Sequence, residues 1–308
     1  MLPDLKSLQL FVAIADCGSI SEAARRMHLA LAAASKRISV LEYRAGTQLL
    51  HRHARGIRLS AAGEGMLVHA RATLASLERL QSELGDFQQG VRGIVRVAAN
   101  GSAMSQTLPA EVGRFLTAHP GIHLHLKEMG SGDTVRALRT GQIDIGIFES
   151  TSEHIGIETR SFRSDRLAVV VPMRHPLSKR KRLQEADIFS HELIGLHEST
   201  ALNQLLAKVA AQRNQTLKIR VQTGSFDGMC RLIEQGLGIG VLPEDSIAPQ
   251  RKALNVKCIA LDAPWALRQH LIGCVHEAHL TAAARSLLTT LSVAHEFVGS
   301  TPPVHLGR

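Results

Sequence analysis

Residues 19–60 read SISEAARRMHLALAAASKRISVLEYRAGTQLLHRHARGIRLS. Ser19 and Glu22 stand three apart ahead of an alanine pair, the spacing of a reciprocal N-terminal cap, and predict a short helix over 21–27. After His28–Ala30, Ala34, Ile38 and Leu41 fall at helical spacing and predict a second helix to about Arg44. Residues 49–51 and 57–59 then read as short strands around a turn holding Arg55 and Gly56. Upstream, Leu5, Leu8, Phe11, Val12 and Ala15 make an amphipathic first helix that ends by Gly18. Three helices and a basic hairpin are the parts that lay one helix in a DNA major groove with a wing beside it.

Charge supports that reading. Between Arg25 and Arg58 eight cations (Arg25, Arg26, Lys36, Arg37, Arg44, Arg52, Arg55 and Arg58) stand against Glu42 alone, so most of the net charge of +9 falls here. That is the footprint of a nucleic-acid partner; the alternative is a solvated charged face on any small helical domain. The helix destined for the groove nevertheless opens with Ala30, Leu31, Ala32, Ala33 and Ala34, where polar groups for reading bases are expected.

The remainder follows a different rhythm. At 308 residues, 44% hydrophobic and 20% charged, the chain has material for two or three folded units. Ser60 caps a predicted long helix over 61–89, whose Leu67, Ala70, Leu74, Leu77, Leu84 and Phe87 follow a coiled-coil seam, Gln81 excepted. Such a helix spans about 43 Å and is best buried against a second copy; the alternative is a helix lying on its own core. From Ile94 onward strands alternate with helices: strands over 94–99, 122–128 and 143–148, helices over 107–118 and 134–140. This βαβαβ order predicts a parallel, doubly wound sheet. Further strands are expected at 167–171, 191–196, 218–223, 236–242 and 271–275, with helices over 201–214, 226–235 and 280–297, and a disordered tail over 301–308. Four cysteines show no CxxC spacing and read as reduced thiols, Cys17 and Cys274 in the core. A signal peptide is not expected from the short apolar run 8–15, and no run reaches the ~20 apolar residues of a membrane span, which points to the cytoplasm.

Taken in order, these residues resemble the LysR-type transcriptional regulators. The resemblance is carried by Phe11-Val12-Ala13, Gly18-Ser19, Ala23-Ala24, Ser35-Lys36, Leu41-Glu42, residues 46–50, Arg52, Leu59-Ser60 and Ala62-Gly63. It continues through Phe115 with His119-Pro120, residues 141–145, Val171-Pro172, residues 175–177 and the glycine-rich run 236–243. It implies an α/β chain with an all-α winged helix-turn-helix N-terminal domain (1–60) and a linker and dimerisation helix (61–92). It further implies a C-terminal two-lobed α/β effector-binding domain resembling type 2 periplasmic binding proteins (93–300). Lobe I would take about 93–163 and 268–297, and lobe II about 164–267. It implies a tetramer built as a dimer of dimers. Two departures stand out: Ala30, Leu31 and Ala32 replace the usual Ser-Gln-Pro, and Ala45 replaces a frequent leucine.

On this reading Leu31, Ala32, Ser35, Lys36 and Arg37 face the groove, with Arg52, Arg55 and Arg58 on the wing. Leu31 and Ala32 offer only methyl groups to thymine, leaving specificity to Ser35, Lys36, the wing and DNA shape. In an open α/β sheet a ligand lies beyond the carboxyl ends of the strands. Those ends supply Ser102, Ala103, Ser131, Phe148, Glu149, His197, Thr200 and Phe226 as candidate effector contacts, and Glu149 disfavours a simple dicarboxylate. For Ser102, Ser131 and Thr200, at or near predicted helix starts, the alternative is a polar capping residue without ligand. The expected partners are promoter or operator DNA, one small effector, a second copy through the linker helix, and RNA polymerase; no membrane, cofactor or metal is expected. His51-x-His53, His123-x-His125 and His276-x-x-His279 lack a completing cysteine or carboxylate. No G-x-S-x-G, P-loop or H-E-x-x-H supports an enzyme. The competing class is a solute-binding or transport-associated protein with a non-regulatory basic N-terminal domain.

Overall fold

The computed structural model describes residues 3–53, 56–89, 93–248 and 253–296, the side chains of 52, 78–79, 81–89 and 293–296 excepted. Arg55 and the tail 301–308 lie outside the described residues. Helices α1 (Leu5–Cys17), α2 (Ile20–Arg26) and α3 (Leu31–Ala45) pack around Leu10, Phe11, Ile14, Ala23 and Ile38. The hairpin β1 (Leu50–His53) and β2 (Gly56–Leu59) closes this unit. Ser19 caps α2 by accepting the Glu22 N–H at 3.4 Å. The reciprocal half of the cap is missing, because the Glu22 carboxylate turns to Arg25 and Arg26 instead.

The turn from α2 to α3 passes through His28 at φ 54°, a left-handed conformation that L residues adopt only where the surroundings impose it. Helix α3 then starts on Ala30, which makes no side-chain cap bond. Ala30→Ser is therefore expected to stabilise this domain by about 0.5–1 kcal/mol, read as a rise in its melting temperature. An unchanged melting temperature would mean that the first-turn amides already have partners. At its other end α3 anchors the wing: Glu42 Oε1 accepts the N–H groups of Leu49 at 2.9 Å and Leu50 at 3.0 Å. The second wing strand is held by the Ile57 N–H, which donates to the Gly18 carbonyl at 2.9 Å.

Ser60 starts α4 (Ala61–Gln89), accepting the Gly63 N–H at 3.0 Å and donating to the Gln48 carbonyl at 2.6 Å. The expected seam needs correction at its start. Leu67 and Ala70 are buried in the N-terminal core, because the first turns of α4 lie on α1. Leu74 and Leu77 are half-buried and Leu80 is exposed, while the side chains of Leu84 and Phe87 lie outside the described residues. Arg71, buried, reaches from α4 to Asp16 of α1 and donates to the Thr140 carbonyl at 3.0 Å, pinning the linker between the two halves of the chain.

The second half begins with β3 (Gly93–Ala99), α5 (Gly101–Met104), α6 (Leu108–Ala118), β4 (Ile122–Glu128), α7 (Ser131–Arg139), β5 (Ile145–Glu149) and β6 (Glu158–Pro172). It continues with β7 (Arg182–Gln184), α8 (Glu185–Phe189), β8 (Leu193–Leu196), α9 (Ala201–Gln212), β9 (Ile219–Thr223) and α10 (Phe226–Glu234). It ends with β10 (Gly240–Pro243), α11 (Glu244–Ile247), β11 (Val256–Asp262), β12 (Leu267–Cys274) and α12 (Ala282–Glu296).

Strand β3 pairs in parallel with β4 and β5, as the βαβαβ order requires. The sheet as a whole is mixed rather than parallel, since β12 runs antiparallel to both β5 and β6. The 15-residue β6 passes from one lobe to the other: Glu158–Arg166 pair with β12, and Leu167–Pro172 with β10 or β11. One lobe closes on Val95, Val97, Phe115, Ile145 and Leu287, the other on Val169, Ile194, Met229, Ile233 and Val241. Cys274 and Cys230 are buried, and burial pushes both thiols up to about 11; Cys17 is half-buried. Among the described residues no helix is long and apolar enough to cross a membrane.

Candidate functional site

The lobes enclose a cavity of about 160 Å³ at the carboxyl ends of β3, β4, β5 and β8. Of the residues expected there, Ser102, Ser131, Glu149, Thr200 and Phe226 line it. The Ser131 oxygen accepts the Glu149 N–H at 3.1 Å and the Asn100 Nδ2–H at 3.4 Å. Thr200 caps α9, accepting the Asn203 N–H at 3.3 Å. Glu149 belongs to the floor of the cavity rather than its rim, being only 2% exposed.

Three expected contacts fall elsewhere. Phe148 is fully buried under α7 with Val135 and Leu138, because successive side chains of a strand point to opposite faces and Glu149 takes the cleft. Ala103 is packed in the core and contributes only its N–H, donated to Asn100 Oδ1 at 3.0 Å. His197 is exposed beside Ser199, outside the cavity lining.

The principal omission is Arg268. It lies on β12, 5% exposed, while its neighbour Leu267 is 58% exposed. This polar-in, apolar-out segment hides a strand from hydrophobic periodicity. The Arg268 guanidinium forks onto Asp165, Nε to Oδ1 at 2.9 Å and Nη2 to Oδ2 at 2.5 Å. Its Nη2 also donates to Ser102 Oγ at 2.9 Å, and Nη1 to Glu149 Oε2 at 3.4 Å.

His270 completes the cluster. Because Asn100 Oδ1 is occupied by the Ala103 N–H, its Nδ2 donates to His270 Nδ1 at 3.1 Å. That assignment puts the imidazole proton on Nε2, 3.1 Å from Asp165 Oδ2 though off the line of a well-formed hydrogen bond. Burial by itself would push the Asp165 carboxyl up; the His270 contact and the Arg268 charge outweigh it and hold the group at about 2.

At the other end of the chain, α3 turns Leu31, Ala32, Ala33 and Lys36 outward, buries Ala34 and half-buries Ser35. Arg37 departs from the expected groove contact: Nη1 donates to Asp4 Oδ1 at 2.8 Å, tying α3 to the cap of α1. Arg58 is exposed on β2, whereas the side chain of Arg52 lies outside the described residues. Val40 and Tyr43, the latter 87% exposed, continue the Lys36 face at intervals of four and three residues. Sequence reading passed over both because apolar and aromatic types at that spacing suggest core. Among the described residues no His/Cys/Asp/Glu group could hold a metal ion, and His123 and His125 are exposed on β4.

A basic helix-turn-helix joined by one long helix to two lobes around a small polar cavity defines a DNA-binding regulator that answers to a ligand. The model of bacterial regulatory helix-turn-helix proteins of the lysR family matches residues 5–64, and that of the LysR substrate binding domain matches residues 88–294. The chain belongs to the LysR family of transcriptional regulators. It is 24% identical over 266 residues to the transcriptional dual regulator GltC of Bacillus subtilis, covering 86% of this chain and 88% of that one. Its fold matches full-length OxyR from Pseudomonas aeruginosa with a TM-score of 0.71 at 18% identity, covering 94% of this chain and 95% of that one. It matches full-length CbnR complexed with its target DNA with a TM-score of 0.64 at 21% identity, covering 94% and 99%.

Proposed function

We propose that the chain binds operator DNA through α3 and the wing and answers to a small effector held by Ser102, Ser131, Glu149, Thr200, Phe226 and Arg268. In this reading it needs no cofactor, carries out no reaction on the effector, and acts in the cytoplasm on transcription by RNA polymerase. It pairs with a second copy through the part of α4 beyond Ala70 and assembles as a tetramer.

The observation that carries the DNA reading is the outward face of α3, where Lys36 is exposed between methyl-bearing Leu31 and Ala32 and the ring of Tyr43. The face matches a helix that packs on bases without donating to them and is positioned by phosphates. The CbnR structure with its target DNA supports the same use of the fold.

The test is affinity for the DNA flanking the chain's own gene, measured across a salt series. Log K falls with log salt by about 0.9 per phosphate contact, so Lys36→Ala and Arg58→Ala are each expected to flatten the slope by about that amount. Slopes equal to wild type in both variants would remove these residues from the interface.

A further inference from the structure

The cleft carries more acid than its one arginine neutralises. Asp165 takes Arg268 through the short fork, leaving Glu149 the single contact to Nη1 at 3.4 Å. The other side-chain partner of the Glu149 carboxylate is Thr151 Oγ1, also at 3.4 Å. A charge-assisted bond to a carboxylate is ordinarily about 2.7–2.9 Å, so both side-chain contacts of Glu149 are long. Glu128, at the end of β4, lines the same cavity, and among the described residues no ion pair reaches it.

Within that cavity, Glu128 and Phe226 flank one space. Above Gly101, Glu128 Oε1 lies 2.9 Å and Phe226 Cε2 3.7 Å from the point where a Cβ would stand. The missing side chain thus leaves a carboxylate and an aromatic ring flanking the same spot. In the same cavity the Ser131 oxygen already accepts two bonds, so its O–H remains to donate.

Resting on the reading of this cleft as the effector site, we propose that the effector carries a protonated amine seated between Glu128, Glu149 and Phe226. An ammonium there gains a carboxylate and an aromatic neighbour together. A hydrogen-bond acceptor at its other end meets Ser131. The cavity of about 160 Å³ resembles in volume the ~150 Å³ cavities that hold benzene, so the occupant has about six to eight non-hydrogen atoms. A dicarboxylate of that size sets its charges against two carboxylates while Arg268 is already engaged.

The experiment is thermal unfolding of the full chain with 4-aminobutanol, γ-aminobutyrate and succinate, probes of matched length. The two amines are expected to raise the melting temperature of wild type and succinate to leave it unchanged. Glu149→Gln is expected to raise the half-saturating amine concentration about tenfold. Without ligand, Glu149→Gln is expected to melt at or above wild type, since it sheds unmatched buried charge while Asp165 keeps Arg268. Stabilisation by succinate, lost in Arg268→Met, would keep the cleft as a ligand site and overturn the amine. Amine shifts equal in wild type, Glu149→Gln and Glu128→Gln would place the binding elsewhere and overturn the cleft reading too. Absence of any amine shift in wild type overturns the proposal, as does Glu149→Gln melting below wild type, which would make that carboxylate a structural partner of Arg268.

Discussion

Arg268→Met is expected to destabilise the two-lobed domain by about 3–5 kcal/mol, on the order of a 10 °C fall in its melting temperature. The variant keeps the bulk of the side chain and removes the cation that the Asp165 and Glu149 carboxylates share in the buried cluster. It also removes the donor to Ser102. Buried carboxylates left without their cation lose far more than a surface pair would. Adding Asp165→Asn to Arg268→Met is expected to recover much of the loss, because a neutral amide tolerates burial where an orphaned carboxylate does not. Arg268→Met melting with wild type at neutral pH would show that the cluster does not depend on its guanidinium.

The pH dependence follows from the same residue. Asp165 is held at about 2 against an ordinary 3.8, so it binds its proton more weakly in the folded chain than in the unfolded one. Its contribution, about 2 kcal/mol, is present above pH ~4 and is lost as pH falls towards ~2. In Arg268→Met burial acts on the carboxyl without the guanidinium to oppose it, so acidification is expected to narrow the gap between variant and wild type.

Gly63→Ala is expected to disable the DNA-binding end while sparing the rest. A Cβ on Gly63 would stand 2.1 Å from the Leu49 carbonyl oxygen and 3.1 Å from its carbon, both backbone atoms at the root of the wing. That root has little freedom. The Ser60 N–H donates to the same carbonyl at 3.0 Å, Ser60 Oγ bridges Gln48 and Gly63, and Glu42 holds the next two amides. Overpacking ordinarily costs about 1–3 kcal/mol, and a rigid backbone places this clash at the upper end or beyond. DNA affinity is expected to fall by at least about tenfold, with melting of the two-lobed domain unchanged. Full affinity in Gly63→Ala would show that α4 and the wing can separate without consequence for the interface.

These residues also show how far the sequence could be read. The bounds of α4, Ala61–Gln89, and β4, Ile122–Glu128, match the residues expected, because a capping serine and a clear period mark them. The heptad spacing of Leu67 and Ala70 correctly announced a buried stripe but carried no information on its partner, which proved to be α1. In the cleft, the rule of strand carboxyl ends located Ser131, Glu149, Thr200 and Phe226, while the two-residue alternation of β5 excluded Phe148. Arg268 was beyond reach. Arg268 and His270 take buried positions at the start of β12 and Asp165 one in β6, among apolar inward neighbours such as Phe162 and Ile272, and Arg268 meets Ser102 across 166 positions of sequence. Both strands read as loop where they carry the charges that shape the cavity. Short β7 and α8 were missed for a simpler reason, since three to five residues hold too little of any period.

In the proposed function a ligand in the interlobe cleft controls how the helix-turn-helix meets DNA. A nuclease footprint of the full chain on the DNA flanking its own gene tests it most directly, taken with and without an amine probe shown to stabilise the wild-type protein. The protected region is expected to change in length or position when the probe is added to wild type, and to stay fixed in Glu149→Gln at the same concentration. A footprint identical with and without a probe that demonstrably fills the cleft would contradict it.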